Sequence, residues 1–326
     1  MPHPLHVALR LAVAALLLAI NLPTRAAGQP YPSKPIRMVV AFPPGGLADV
    51  VARIIFQPVT QQLGHNIIID NQPGALGAIA GDIVAKAAPD GYTLLVTTSS
   101  TMSAVPALTR KPPYDPVRDF TPITDAGRVT FFMFVHPSLP VLTMTELIDL
   151  IRANPGKLNY GTTSATPMIA TAQLLSLYKL DALRIPYKGD ALTATDLVGG
   201  RIQFAFMSTV PGYGQARKGK LRMLATLMPR RSPIAPEIPT LEEAGVKGVS
   251  TTSWAGLFGP AHLPQPVVER LSREFRSVLS RPDIVDSLGR QGFLANPSTP
   301  AALGAYVKEQ LESWRHIVRE AGIPVE

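Results

Sequence analysis

Along residues 36–103 two kinds of apolar pattern alternate. "IRMVVAF" (36–42) is an almost unbroken branched and apolar run, as expected of a strand buried on both faces. "LADVVARIIFQPVTQQLG" (47–64) instead repeats its apolar positions every three or four residues, which predicts an amphipathic helix. The pair recurs as "HNIIIDN" and "AIAGDIVAKAA", and "PDGYTLLVTTSS" supplies a third strand. Such alternation predicts right-handed crossovers and a parallel sheet covered on both faces.

A second series starts after "YDPVRDFTPIT". "VTFFMFVHP" reads as a strand, "TMTELIDLIRANPG" as a helix capped by Thr143 or Thr145, and "KLNYGTT" as a strand again. "TPMIATAQLLSLYKL", "ALRIPYKG", "ALTATDLVGG", "RIQFAFMS", "GYGQARKGK" and "LRMLATL" continue the alternation. From Thr251 the text changes to one extended segment, "TTSWAGLFGPAHLP", and three helical patterns. The expectation is an α/β protein of two lobes, with the chain crossing between them near Gly127 and near Ser250. Residues 29–127 then form the first part of lobe 1, 128–250 form lobe 2, and 251–326 pack back on lobe 1. Ligands of such folds sit at the carboxyl ends of the strands, in the cleft.

Residues 1–28 stand apart. "MPHPLHVALR" carries one arginine and no acid, "LAVAALLLAI" is ten apolar residues, and "TRAAG" offers small residues for cleavage after Ala26, Ala27 or Gly28. Ten residues fall short of the ~20 that span a bilayer, so the layout is that of an export signal. A periplasmic location follows. At 326 residues, 46% hydrophobic and 17% charged, the chain is a folded protein with room for two cores. It has no cysteine, which excludes disulfides and thiol chemistry. The net charge of +8 drops to +6 once Arg10 and Arg25 leave with the signal. There is no long basic run and aromatics are 6%, so the balance points to anionic solutes rather than nucleic acid.

No catalytic set assembles. His65, His136, His262 and His316 show no metal-ligand spacing, and zinc, EF-hand, G-x-S-x-G and Walker motifs are missing. No cofactor or metal is expected. "GALGAIAG" (74–81) lacks dinucleotide spacing, and its glycines read as close packing of the second helix. Lys188 reads as a solvated loop lysine, and Asp49 as a first-turn carboxylate that caps amides.

The loops offer binding chemistry instead. In "AFPPGGLAD" two prolines and two glycines bring backbone close to whatever lies above a helix start, where unbonded N–H groups attract anions. "NYGTTSATPM" repeats the arrangement with the hydroxyls of Thr162, Thr163, Ser164 and Thr166, and "TTSSTMS" (97–103) adds a third cluster. Facing each other across a cleft, these loops would hold an anion by hinge closure.

With these residues the chain resembles the periplasmic solute receptors of tripartite tricarboxylate transporters, the Bug family. The matching text spans nearly all of the mature chain: "YPSKPIRMVVAFPPGG", "NQPGALG", "AKAAPDGYTLL", "PYDPVRDFTPI", "ANPGKLNYG", "PYKG", "DLVGGRIQ", "GKLRMLA" and "SWAGLFGPA". The resemblance implies a two-lobe Venus-flytrap receptor of periplasmic-binding-protein type II, monomeric and without enzymatic activity. It implies small carboxylates, amino-acid derivatives or aromatic acids as ligands, passed to a membrane permease. Carried over, its first ligand loop falls on Phe42, Pro43, Pro44, Gly45 and Gly46, followed by Asp49. Its second loop falls on Thr162, Thr163, Ser164 and Thr166. Its strand-end cluster falls on Thr98, Ser99 and Thr101, and its cleft tyrosine on Tyr187. Two departures follow: the second loop is shorter and lacks a histidine, and Met207 stands where many relatives carry an aspartate. Without that acid, the expectation is that amino-acid ligands are disfavoured and a larger or more apolar acid is accepted. A sensor kinase partner, or an exported enzyme on the same architecture, are the competing readings.

Overall fold

The computed structural model describes residues 31–249, 251, 253–320 and 322–325. Residues 1–28, read above as an export signal, and Ser250 lie outside the described residues. Strands β1 (Ile36–Val40), β2 (Ile67–Asn71), β3 (Thr93–Thr98) and β4 (Phe120–Val129) come first, then β5 (Phe131–Val135), β6 (Asn159–Thr162), β7 (Leu183–Pro186), β8 (Phe204–Ser208) and β9 (Arg222–Thr226). β10 (Trp254–Pro260) and β11 (Phe293–Ala295) follow. They form a six-stranded sheet in the order β11-β4-β10-β3-β1-β2 and a five-stranded sheet in the order β7-β6-β8-β5-β9.

Both sheets are mixed, where the alternation predicts parallel ones. β1, β2 and β3 are parallel, as are β6, β7 and β8, but β10 runs antiparallel to β3 and β5 antiparallel to β8. The reason is the chain's route. A strand followed by a crossover helix ends at the cleft, whereas a strand arriving from the other sheet begins there and must run the opposite way. β5 starts one residue after β4 ends, and β10 brings the chain back after β9. The tail returns to the first sheet through β11, paired with β4 from Phe293 opposite Val129 to Ala295 opposite Gly127.

The helices that shape the cleft are α1 (Leu47–Leu63), α2 (Ala78–Ala85), α3 (Met144–Ala153), α4 (Ala165–Leu177), α5 (Asp190–Val198) and α6 (Thr209–Arg217). The tail adds α7 (Gln265–Leu279), α8 (Pro282–Gly289) and α9 (Pro300–Glu320). Thr143 is the cap of α3: its hydroxyl accepts from the Glu146 N–H while the Glu146 carboxylate accepts from the Thr143 N–H, a reciprocal capping box. The glycines of 74–81 pack closely, as their pattern predicts. A Cβ on Gly77, whose φ is +91°, would lie 2.1 Å from Thr101 Oγ1, and one on Gly81 would meet the Tyr114 ring.

Each sheet has its own core. Val39, Leu95, Phe120, Trp254 and Phe258 anchor one, and Met133, Phe204, Phe206, Leu147 and Leu174 the other. A further apolar cluster joins the two halves: Ala104 and Ala107 beyond β3, Ala165 and Ile169 of α4, and Trp314, Ile317 and Val318 of α9. No helix among the described residues is long and apolar enough to cross a membrane.

Candidate functional site

Between the two sheets lies a cavity of about 120 Å³, somewhat less than the ~150 Å³ that takes up one benzene. From the six-stranded side it is lined by Phe42, Pro43, Pro44, Gly46 and Thr98, joined by Leu47 and Ala48 of α1. From the five-stranded side come Phe131, Thr163, Ser164, Asp190 and Ser208. The route of the chain explains the convergence. β1, β3, β6 and β8 end here, β5 and β10 begin here, and α1, α4, α5 and α6 start here, with first-turn amides that have no partner within the helix. The partial positive charge of a helix start therefore comes from several directions at once.

Asp49 does not line the cavity; it braces the loop that does. It is 3% exposed and accepts hydrogen bonds from the Gly45 N–H at 3.0 Å, from Arg53 at 2.9 and 3.0 Å, and from Asn71 Nδ2 at 3.1 Å. Asn71 Nδ2 also donates to the Phe42 carbonyl at 3.0 Å, closing the brace at the other end of the loop. Burial works against the Asp49 charge, but the Arg53, Gly45 and Asn71 donors outweigh it and hold the carboxyl below its usual range. Gly45, at φ +75°, makes the turn.

The other sequence-predicted residues divide by depth. Thr98, Thr163 and Ser164 reach the cavity wall, while Ser99, Thr101 and Thr166 sit behind it. Ser99 Oγ and Thr166 Oγ1 form a buried hydrogen bond of 3.2 Å between the two halves, and Ser100 Oγ accepts from the Ala165 N–H, also at 3.2 Å. The Thr101 hydroxyl accepts from that of Thr97 and donates to the Leu76 carbonyl at 3.3 Å, so it is spent on packing the loop. Thr162 and Tyr187 line a separate, wider cavity of about 760 Å³ beyond the Thr163–Ser164 loop. Tyr187 donates to Asp196 at 2.8 Å, and burial together with that carboxylate pushes its hydroxyl up to about 12.

Met207 is placed elsewhere. It is fully buried among Phe132, Phe134, Leu197 and Ala205, in the core of the five-stranded half and not on the cavity wall. The acid at the cavity is Asp190, the first residue of α5, which the sequence reading did not single out. Its Oδ1 accepts from the Thr163 hydroxyl at 2.5 Å. Its Oδ2 accepts from the Ser208 N–H at 3.0 Å and also from the Ser208 hydroxyl. Val129, Lys188, Gly189, Ala191 and Ser253 complete the wall. The detectable signal for this group was the strand-to-helix step "PYKGDA", which has the form of the two loops already noted. Among the described residues no group of three or more His, Asp or Glu is placed to hold a metal.

Comparison with known proteins bears on this arrangement. The family model described as tripartite tricarboxylate transporter family receptor matches residues 51–323. The chain belongs to that family. Protein BugT of Bordetella pertussis is 30% identical over 317 residues, covering 96% of this chain and 97% of that one. Among solved structures, Rpa4515 of R. palustris with adipate superposes with a TM-score of 0.86 at 30% identity, over 90% of this chain and 99% of its own. MatC of Rhodopseudomonas palustris with bound malate gives 0.82 at 30% identity, over 88% and 100%. Membership of this receptor family carries the two-lobe periplasmic-binding-protein fold with it, in agreement with the two mixed sheets.

Proposed function

We propose that the protein is an exported receptor of the periplasm that closes its two lobes over one small carboxylate and delivers it to the permease of a tripartite tricarboxylate-type transporter. The observation that carries this reading is the cavity itself, where helix starts and hydroxyls converge from both sheets. Each helix start contributes ~0.3–1 kcal/mol to holding an anion, and up to ~2 kcal/mol when partly buried. Charge-assisted hydrogen bonds from the loops add to that. The adipate and malate bound in two relatives support an acid as ligand. In this reading lobe 1 comprises residues 29–127 and 251–326, and lobe 2 residues 128–250. Phe42 to Gly46, Thr98, Thr163 and Ser164 meet the ligand, Asp49 holds the first loop in shape, and Ser99 and Thr166 join the closed lobes.

The experiment is a thermal-shift screen of the mature chain against dicarboxylates, tricarboxylates, aromatic acids, amino acids and neutral sugars. Ligand at a hundred times its dissociation constant adds ~2.7 kcal/mol, a rise of roughly 4 °C for a chain of this size. A shift with acids that weakens when Gly46 is replaced by a bulky residue supports the reading. A shift only with sugars, or none with any acid, overturns it.

A further inference from the structure

The charges on the cavity wall are not those of a simple anion trap. Its ionisable side chains are Lys188 and Asp190, both from the five-stranded half. No ion pair joins Lys188 to Asp190, and the Asp190 carboxylate faces hydroxyls and an amide only. A carboxylate has about four acceptor positions. Thr163 takes one on Oδ1, and the Ser208 amide and hydroxyl take two on Oδ2. One position on Oδ1 is left, on a half-buried group that lines the cavity. The opposite wall carries no ionised side chain and presents the first turn of α1 at Leu47 and Ala48. The site is therefore dipolar: amides at one end, and at the other a carboxylate with the exposed, separate Lys188 at its margin.

We infer that Asp190 selects a ligand carrying an ammonium group as well as a carboxylate, that is, an amino acid small enough for the cavity. This rests on the carboxylate-receptor reading and narrows it, and it reverses the expectation drawn from Met207. Met207 lies in the core, so that expectation drew on a position that does not face the cavity, whereas Asp190 does. The ligand's carboxylate lies at the α1 start, and its ammonium takes the free acceptor position of Asp190. A plain dicarboxylate would bring a second negative charge to Asp190 instead.

The test is calorimetric titration with matched pairs of acids: succinate and aspartate, glutarate and glutamate, propionate and alanine, 3-phenylpropionate and phenylalanine. For the tightest-binding pair, the amino member is expected to bind at least tenfold more tightly than its partner. Asp190→Asn is expected to cut that ratio at least tenfold and to tighten binding of the plain acid. Thr163→Val removes a hydroxyl of the wall but leaves the Asp190 charge, and is expected to weaken both members of a pair while keeping their ratio. Equal or tighter binding of the plain acid by the natural protein overturns the inference while leaving the carboxylate reading intact. Loss of the preference in Thr163→Val to the same extent as in Asp190→Asn overturns it too, since loop shape would then decide. If no member of any pair binds while another acid shifts the melting temperature, the inference falls and the carboxylate reading stands; if no acid binds at all, both fall.

Discussion

Replacing Asp49 with asparagine isolates what holds the first cavity loop in place. The two side chains have the same outline, so no cavity forms, but one acceptor oxygen becomes an NH2 donor. With its remaining oxygen towards Gly45 and Arg53 Nε, the new amide would face Arg53 Nη2 and Asn71 Nδ2, donor against donor. A hydrogen bond to a charged group contributes ~1.5–3 kcal/mol. The Arg53 side chain is 56% exposed and can turn to water, so its share is discounted. Asn71 keeps its bond to the Phe42 carbonyl. The sum is a loss of about 1.5–3 kcal/mol, read as a lower urea midpoint with unchanged slope at pH 7. The pH dependence has a definite sign. Asp49 is held below its ordinary value, so its contribution is complete above about pH 4 and fades as pH falls through the folded value. The gap between natural protein and Asp49→Asn should therefore shrink on acidification. Ligand affinity should fall with stability, because a loosened loop must be reordered on binding. A gap under about 0.5 kcal/mol at pH 7, the scale of an ordinary surface substitution, or one that widens towards pH 3, would refute the brace.

Two further substitutions test the frame around the site. Gly77→Ala forces a side chain into a left-handed backbone position against Thr101, and a loss of about 2–4 kcal/mol is expected; chemical denaturation within 1 kcal/mol of the natural protein would show that the 74–81 run is not a packing element. Ile169→Ala empties a place in the cluster between the halves and should cost about 2–5 kcal/mol, with a change in fluorescence because Trp314 lies in the same cluster. An unchanged midpoint and spectrum would mean that the cluster does not hold.

Much of the fold is written in local pattern. The helix and strand segments from Ile36 to Thr98 stand where periodicity puts them, most of them burying their own apolar face, while β2 at the sheet edge stays half-exposed. β4 escaped. Its text, "FTPITDAGRV", carries Pro122, Asp125 and Gly127 and reads as a linker, yet it lies between β10 and β11. Its polar groups are satisfied from afar: Asp125 meets Arg128 at 2.7 Å and Asn296 Nδ2 at 3.0 Å, a partner 171 residues away. The site was legible in part for the same reason. Loops that end strands and start helices are visible, so Phe42 to Gly46, Thr98 and Thr163 could be named. Depth is not visible. Nothing local distinguishes Ser99 from Thr98, and in "FAFMS" every residue is buried, so alternation gives no face to Met207. Asp190 depends on Thr163 and Ser208, 27 and 18 positions away, a meeting made only by folding.

The apolar cluster around Ile169 and Trp314 has a consequence for direction. Separating the halves there would strip Ile169, Ala165 and Trp314 of their cover, at ~25 cal/mol for each Å² exposed. A second contact between the halves is slighter: a Cβ at Gly189 would lie 3.6 Å from Pro43 Cγ. Parting the halves at Pro43 and Gly189 therefore costs less than parting them at Trp314, and the cheaper separation is the one that bares the cavity wall, to which both Pro43 and Gly189 belong.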